Sequence, residues 1–286
     1  MSSQGGAAET EDRSMRYWKM NGAGNAFAIL DHRGGAPDMP ADLVRALAEA
    51  ASADQVIAIE DSDSADAFMR VWNADGGEVG ACGNAARCVA WGLMEESGAE
   101  TASLDTLGGP LKAWRAGERM ITIDMGEPKL DWEQIPLDER MDTRGIDVKL
   151  GPIDKPSLQL PGAVNMGNPH VVFFVPEASE ALARAVGPLI EWHPLFPEGV
   201  NVGFAEILSQ DRIRLKVWER GAGLTAACGT GACAALVAAS RRQLTGRKAI
   251  VIADGGELEI DWRADNRVYK TGPVEMEGEA RFEPAA

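Results

Sequence analysis

A chain that is written twice has few folds open to it, and this one repeats a cysteine-bearing segment at long range. Around Cys82 it reads DGGEVGACGNAARCVAWGLME, and around Cys228 it reads ERGAGLTAACGTGACAALVAAS. Each copy has a glycine-bearing loop, then Ala-Cys-Gly, then an Ala-rich run holding a second cysteine, Cys88 or Cys233. The two Ala-Cys-Gly elements lie 146 residues apart (228 − 82). Downstream, Gly108-Gly109, Trp114-Arg115 and Gly126 recur as Gly255-Gly256, Trp262-Arg263 and Gly272, at offsets of 147, 148 and 146 residues. Upstream the match fades to Asn25-Ala26-Phe27 against Asn168-Pro169-His170, an offset of 143. Solenoids and propellers repeat every ~20–50 residues, so a spacing this long means two homologous halves.

Local patterning repeats with it. Apolar alternation and β-branched residues predict strands near 55–60, 66–72, 101–107, 111–116 and 119–125 in the first half. In the second half they predict strands near 170–175, 201–208, 211–218, 248–253, 256–262 and 266–270. Helices are expected at 39–51, 84–97, 177–187 and 230–243. The run GACAALVAA (231–239) is apolar on every side, which predicts a buried helix rather than a surface one. The expected fold class is therefore α+β, with two homologous domains, each a strand-rich barrel-like unit around a central helix, and a cleft between them. The expected organisation is a disordered leader over 1–14, a first domain over 15–127 and a second over 128–271, with the proline-bearing segment 127–165 as the connection.

Composition narrows the chemistry. Four cysteines in 286 residues are no disulfide framework, and with only His32, His170 and His193 available a metal site is not expected. Thiols are then better placed than imidazoles to move protons. A net charge of −16 repels phosphate backbones, so no nucleic-acid partner is expected. Membrane association is not expected either, because no apolar run is long enough to span a bilayer and the leader has no secretory pattern; a cytoplasmic location follows as the default. No phosphate-binding glycine loop leads to a lysine suited to a pyridoxal Schiff base, so no cofactor is expected.

Both Cys-Gly elements fall where a loop becomes a helix. The first N–H groups of a helix lack internal partners, and the macrodipole makes that end positive. Such an end stabilises a thiolate and holds a carboxylate, and a glycine lets the ligand come close. If the two halves face each other across a cleft, a carboxylate can rest between two helix starts with one sulfur on each side of the neighbouring carbon. That arrangement suits inversion of a stereocentre: one thiolate removes the α-proton from one face while the opposite thiol protonates the other. Cys88 and Cys233, inside the helical runs and with no glycine after them, read instead as small apolar fillers.

At these residues the sequence resembles diaminopimelate epimerase. The matching segments are MNGAGNAFAILD (20–31), WNADGGEVGACGNAARCVA (72–90), NMGNPHVVFF (165–174), FPEGVNVGFAEI (196–207) and WERGAGLTAACGTGACAA (218–235). The resemblance implies two similar barrel-like domains, with a C-terminal segment, 272–286, returning to the first. It implies a cofactor-independent epimerase that interconverts LL- and meso-diaminopimelate in lysine and cell-wall precursor synthesis. Cys82 and Cys228 would be the catalytic pair, with Gly83, Asn84, Gly229 and Thr230 holding the reacting carboxylate. Asn25, Gln55, Asn73, Asn168 and Asn201 would be substrate ligands, Arg220 would pair with the distal carboxylate, and Glu219 and His170 would orient the substrate or tune the thiols. Diaminopimelate would be the small-molecule partner, and a homodimer is compatible with the family.

Three positions depart from the family pattern: Asn21 stands where many members have histidine, Ala85 replaces a glycine, and Leu224 replaces a common acidic residue. Taken without the resemblance, the asparagines beside glycine also read as turn formers, Arg220 as a surface charge and His170 as a satisfied core histidine. Two rival functions stand beside the epimerase. A proline or hydroxyproline racemase of the same fold would have no use for Arg220, and a non-catalytic ligand-binding protein would show no α-proton exchange.

Overall fold

A computed structural model describes residues 14–284 apart from 36–37, 153 and 156. The acidic leader expected over 1–14 lies, except for Ser14, outside the described residues. The first half runs β1 (Met15–Gly22), β2 (Asn25–Asp31), α1 (Ala41–Ala51), β3 (Gln55–Glu60), β4 (Ala67–Asn73) and β5 (Glu78–Val79). It continues with α2 (Gly83–Ser97), β6 (Thr101–Asp105), β7 (Leu111–Gly117) and β8 (Met120–Asp124). A small hairpin, β9 (Lys149–Leu150) and β10 (Leu158–Gln159), precedes β11 (Gly162–Asn165), β12 (Pro169–Phe174), α3 (Glu180–Glu191), β13 (Asn201–Ser209) and β14 (Arg212–Glu219). The chain closes with β15 (Gly223–Thr225), α4 (Gly229–Arg241), β16 (Lys248–Ala253), β17 (Gly256–Trp262), β18 (Val268–Pro273) and β19 (Glu275–Phe282).

The duplication seen in the sequence governs the hydrogen bonding. In the first half β1–β2 is antiparallel, β2–β3 parallel, β3–β4 and β4–β5 antiparallel, β4–β6 parallel, and β6–β7–β8 antiparallel. The second half repeats every one of these senses from β11 to β18, with β14–β16 as its second parallel pair. The halves join where β8 pairs antiparallel with β18, and among the described residues seventeen strands form one hydrogen-bonded sheet. Each half also lends its trailing residues to the other's first hairpin. β19 lies antiparallel on β1, while Lys129 bridges to Asn165 at the end of β11.

Each half wraps its central helix. Gly231 to Ala239 of α4 are all buried, as the all-round apolar run predicts, and they fill the core against β11 to β18. α2 buries Asn84–Ala90 with Leu93 and Met94 against β1 to β8, and Gly98 ends it in the left-handed region that glycine adopts without strain. Small side chains let strands close tightly around both helices. At the meeting of the halves a side chain on Gly24, in the β1–β2 turn, would collide with Gly255 in the β16–β17 turn. Glycine is thus needed there for close approach of two backbones.

Two expectations need correction. Helix α3 does not stop at residue 187. Ser179 caps its start by accepting from the Leu182 N–H at 3.3 Å, and it runs through Pro188 to Glu191. Pro188 deprives one carbonyl of its partner, yet the helix continues because Ala183, Gly187 and Ile190 are buried, with Gly187 pressed on the Trp218 side chain. The segment 127–165 is also more than a connection. Ile135, Leu137, Ile146 and Val148 are buried with Phe173 and Phe204 in a core of their own, and β11 belongs to the main sheet.

Candidate active site

Both cysteines sit where the loop gives way to the central helix, in extended backbone as N-cap residues: Cys82 at φ −137° and ψ 111°, Cys228 at φ −120° and ψ 107°. Neither helix has an acidic residue in its first turn, so the positive end of each dipole is left for a ligand or for the sulfur itself. At Cys228 the sulfur takes that role, accepting from the Gly231 N–H at 3.4 Å. The two helix starts converge on one side chain. Lys270 Nζ lies 3.1 Å from Asn84 Oδ1, and a methyl group on either Gly83 or Gly229 would collide with the ammonium.

Around Cys228 the expected residues form a connected group. His170 Nε2 is 3.0 Å from Asn168 Oδ1 and 3.0 Å from Thr230 Oγ1, and Thr230 Oγ1 is 3.6 Å from Cys228 Sγ. His170 is buried, and desolvation with the nearby Arg220 guanidinium pushes its pKa down to about 3, so it is neutral at pH 7. Burial first, then the Glu219 carboxylate, pushes the Cys228 thiol well up, and a hydrogen bond to Glu219 helps hold the proton on sulfur. Glu219 is fixed in turn by the Thr225 hydroxyl, which donates to its Oε1.

Asn201 is tied inward on both sides: its Nδ2 donates to the Pro169 carbonyl at 2.8 Å and its Oδ1 accepts from the Arg220 N–H at 3.0 Å. It therefore sets the Arg220 loop in place. Buried Glu191 does the same from α3, accepting from the Gly221 N–H at 2.7 Å and from Trp218 Nε1 at 2.8 Å. The Arg220 guanidinium donates to the Glu198 carbonyl and, among the described residues, forms no ion pair.

The first half assembles its own residues by strand register. Gln55 and Asn73 are cross-strand partners in β3–β4, and Gln55 Nε2 donates to Asn73 Oδ1 at 2.9 Å. Asn84 Nδ2 donates to Asn25 Oδ1 at 2.7 Å, bringing the β1–β2 hairpin to the helix start. Asn21 accepts from the Gly24 N–H at 2.9 Å and so secures that hairpin turn. Ala85 is wholly buried, and Leu224 packs beside the core under α3. Cys88 and Cys233 are buried inside the helices, with burial pushing their thiols up to about 12 and about 11.

Sequence reasoning missed Lys270 and Arg87, both fully buried beside these helix starts. A charged residue in phase with inward Val268 on a strand, and another inside an Ala-rich helical run, were the signals available. Among the described residues no group of three or more His, Cys, Asp or Glu is placed to hold a metal ion.

The two-barrel frame is shared with solved structures of other proteins. A predicted epimerase from Pseudomonas aeruginosa superposes with a TM-score of 0.67 at 16% identity, covering 95% of this chain and all of that one (100%). A hydroxyproline epimerase from Agrobacterium vitis, with bound trans-4-hydroxy-L-proline, gives 0.64 at 17% identity over 95% of this chain and 93% of its own. At these identities the likeness establishes the fold. Sequence goes further: the diaminopimelate epimerase family model matches residues 17–130 and 162–277. A diaminopimelate epimerase from Phenylobacterium zucineum (strain HLK1) is 56% identical over 268 residues, 92% of this chain and 96% of the relative. The protein is an isomerase of the epimerase class. Its chain belongs to the diaminopimelate epimerase family.

Proposed function

We propose that the chain interconverts LL- and meso-diaminopimelate by passing an α-proton between Cys82 and Cys228. The observation that carries the mechanism is the convergence of two cysteine-headed helix starts, one from each half, on the single Lys270 ammonium. A substrate carboxylate between those starts meets free N–H groups at Gly83-Asn84 and Gly229-Thr230, placing its α-carbon between the sulfurs.

The α-proton is far less acidic than any side chain. Hydrogen bonds from both helix starts to the carboxylate stabilise the carbanion as it forms, and exclusion of water strengthens them. Cys228, whose proton burial and Glu219 hold on sulfur, is the donor in this direction, and Cys82 is the base facing it. It takes the α-proton from one face, and Cys228 gives its proton to the opposite face of the carbanion. The product leaves with inverted configuration and the enzyme with its thiol and thiolate exchanged, which is the state needed for the reverse direction.

Asn25, Gln55, Asn73 and Asn168 supply amide groups for the substrate's distal end and ammonium groups, and Asn201 holds the Arg220 loop. Arg220 receives the distal carboxylate, where a planar guanidinium makes paired charge-assisted bonds. Among the described residues no helix is long and apolar enough to cross a membrane. The net charge of −16 disfavours a nucleic-acid partner, and the reading is of a cytoplasmic enzyme acting on a small zwitterion.

Proton NMR of LL-diaminopimelate with the reduced protein in deuterated water tests the proposal. Loss of the α-proton signal together with appearance of the meso isomer is the expected result. Exchange of proline with none of diaminopimelate would overturn the substrate, and exchange of neither would overturn the activity.

A further inference from the structure

We infer that Lys270 is a positioning residue for the thiol chemistry: held between the two Cys-Gly helix starts, it fixes the Asn84 amide and supplies the buried positive charge that a thiolate at Cys82 or Cys228 requires. The inference rests on the two-thiol mechanism above.

Lys270 lies on β18, the strand that joins the halves, opposite Ile123 of β8. Its ammonium and Arg87 Nη1 both donate to Asn84 Oδ1, at 3.1 and 2.9 Å. Two cations on one oxygen leave the Asn84 amide no second orientation, so its amino group must face Asn25, where it donates at 2.7 Å. Asn25 thereby accepts through its oxygen and keeps its own amino group for the substrate. The lysine thus orients a pair of amides that it does not itself present to the ligand.

Charge makes the second half of the case. The groups facing Lys270 are Arg87 from α2 and Cys82, Cys228 and Cys233 from the two helices. Arg87 faces Cys82, Cys88 and Cys233. No carboxylate figures among these neighbours, and among the described residues neither cation forms an ion pair. Among the described residues Arg87 Nη2, moreover, has no hydrogen-bond partner. Two buried cations beside two positive helix ends are an unfavourable arrangement unless an anion joins them. The anions that chemistry can place there are a cysteine thiolate and the carboxylate of a bound amino acid. Burial and Arg87 lower the Lys270 pKa to about 8, which keeps it charged at neutral pH and lets the charge go as pH rises beyond that value.

A lysine kept for packing alone would be replaced without loss by methionine, which has similar length and no charge to desolvate. The test is therefore Lys270→Met, compared with wild type, Cys82→Ala and Cys228→Ala. Three quantities are measured: turnover by α-proton exchange, melting temperature, and the pH dependence of iodoacetamide alkylation at Cys82 and Cys228 by peptide mass spectrometry. The expected variant melts no lower than wild type, and its alkylation midpoint at one or both cysteines rises by about one pH unit, a tenfold change in thiolate fraction. Its kcat at pH 7 falls about tenfold or more, with KM changed less. An unmoved alkylation profile, whatever the turnover, overturns the assignment. Should Lys270→Met not fold, Lys270→Gln is read by the same profile. If either cysteine-to-alanine variant turns over normally, the two-thiol mechanism fails and the inference fails with it; if neither does and Lys270→Met matches wild type, Lys270 alone is wrongly assigned.

Discussion

The two helix starts carry the same Cys-Gly element in unlike surroundings. Cys82 is partly exposed, and its side chain makes no capping bond, whereas Cys228 is buried, bonded to the Gly231 N–H and set against Glu219. Residues 146 apart show where the copies diverged. Gln55 and Asn73 stand at the strand positions held in the second half by Asn201 and Glu219, and Ala74 stands where the second half has Arg220. Asp124, ion-paired with Arg267 at 2.7 Å, occupies the place of Lys270. The common scaffold supplies two equivalent helix starts, and the divergent residues make their surroundings chemically different. Such a difference suits a substrate whose two ends must be told apart.

That comparison can be broken most severely at the sulfurs. Cys82→Ala and Cys228→Ala should each lower epimerisation by about a thousandfold or more while circular dichroism stays that of the folded protein. Either variant turning over near the wild-type rate would remove the need for two thiols. Next comes the charge present in only one half. Arg220→Met should lower kcat/KM for diaminopimelate by about a hundredfold, mainly through KM, because a charge-assisted pair is lost. An unchanged KM would mean that the distal carboxylate binds elsewhere. The smallest effect sharpens the contrast between the thiols themselves. Removing the carboxylate in Glu219→Gln should shift alkylation of Cys228, but not of Cys82, to lower pH, with kcat reduced about tenfold. Equal shifts at both cysteines would show that Glu219 does not distinguish them.

Much of this architecture could be read from the chain before any coordinates. β4, β6, β14 and β17 alternate, while β3, β8, β12 and β13 are apolar runs rich in β-branched or aromatic residues and buried on both faces, so these strands were legible together with β7, β16 and β18, as were both cysteine-headed helices. β19 was overlooked although Glu275–Phe282 alternates charged with apolar or small residues: its inward side, with Met276, Ala280 and Phe282, is only partly buried, and four charged residues in eight read as an exposed tail. β1 and β2 were hidden by their own turn, since Asn-Gly-Ala-Gly-Asn reads as loop although the strands run right up to it. The strand expected to end near residue 270 continues to Pro273, because a lysine reads as an exit to solvent while Lys270 in fact points inward. At the site, the paired Cys-Gly elements marked Cys82 and Cys228 as candidates, whereas Glu219 and Arg220 were proposed only through the family resemblance. Neither revealed Asn201 as an internal tie or the pair of buried cations, since those depend on what lies across the seam between halves separated by half the sequence.

The exchange of trailing residues between the halves has a consequence for the order in which the protein can be completed. Met15 at the start of β1 pairs with Phe282, and Asn165 at the end of β11 pairs with Lys129. During synthesis the second barrel finds its borrowed residues already made. The first must wait, with the outer edge of β1 unpaired and Trp18 at that edge, until nearly the whole chain has been translated. The first half is the earliest to emerge and the last to be sealed, so the interval between those events is when the growing chain is most open to pairing with a wrong strand.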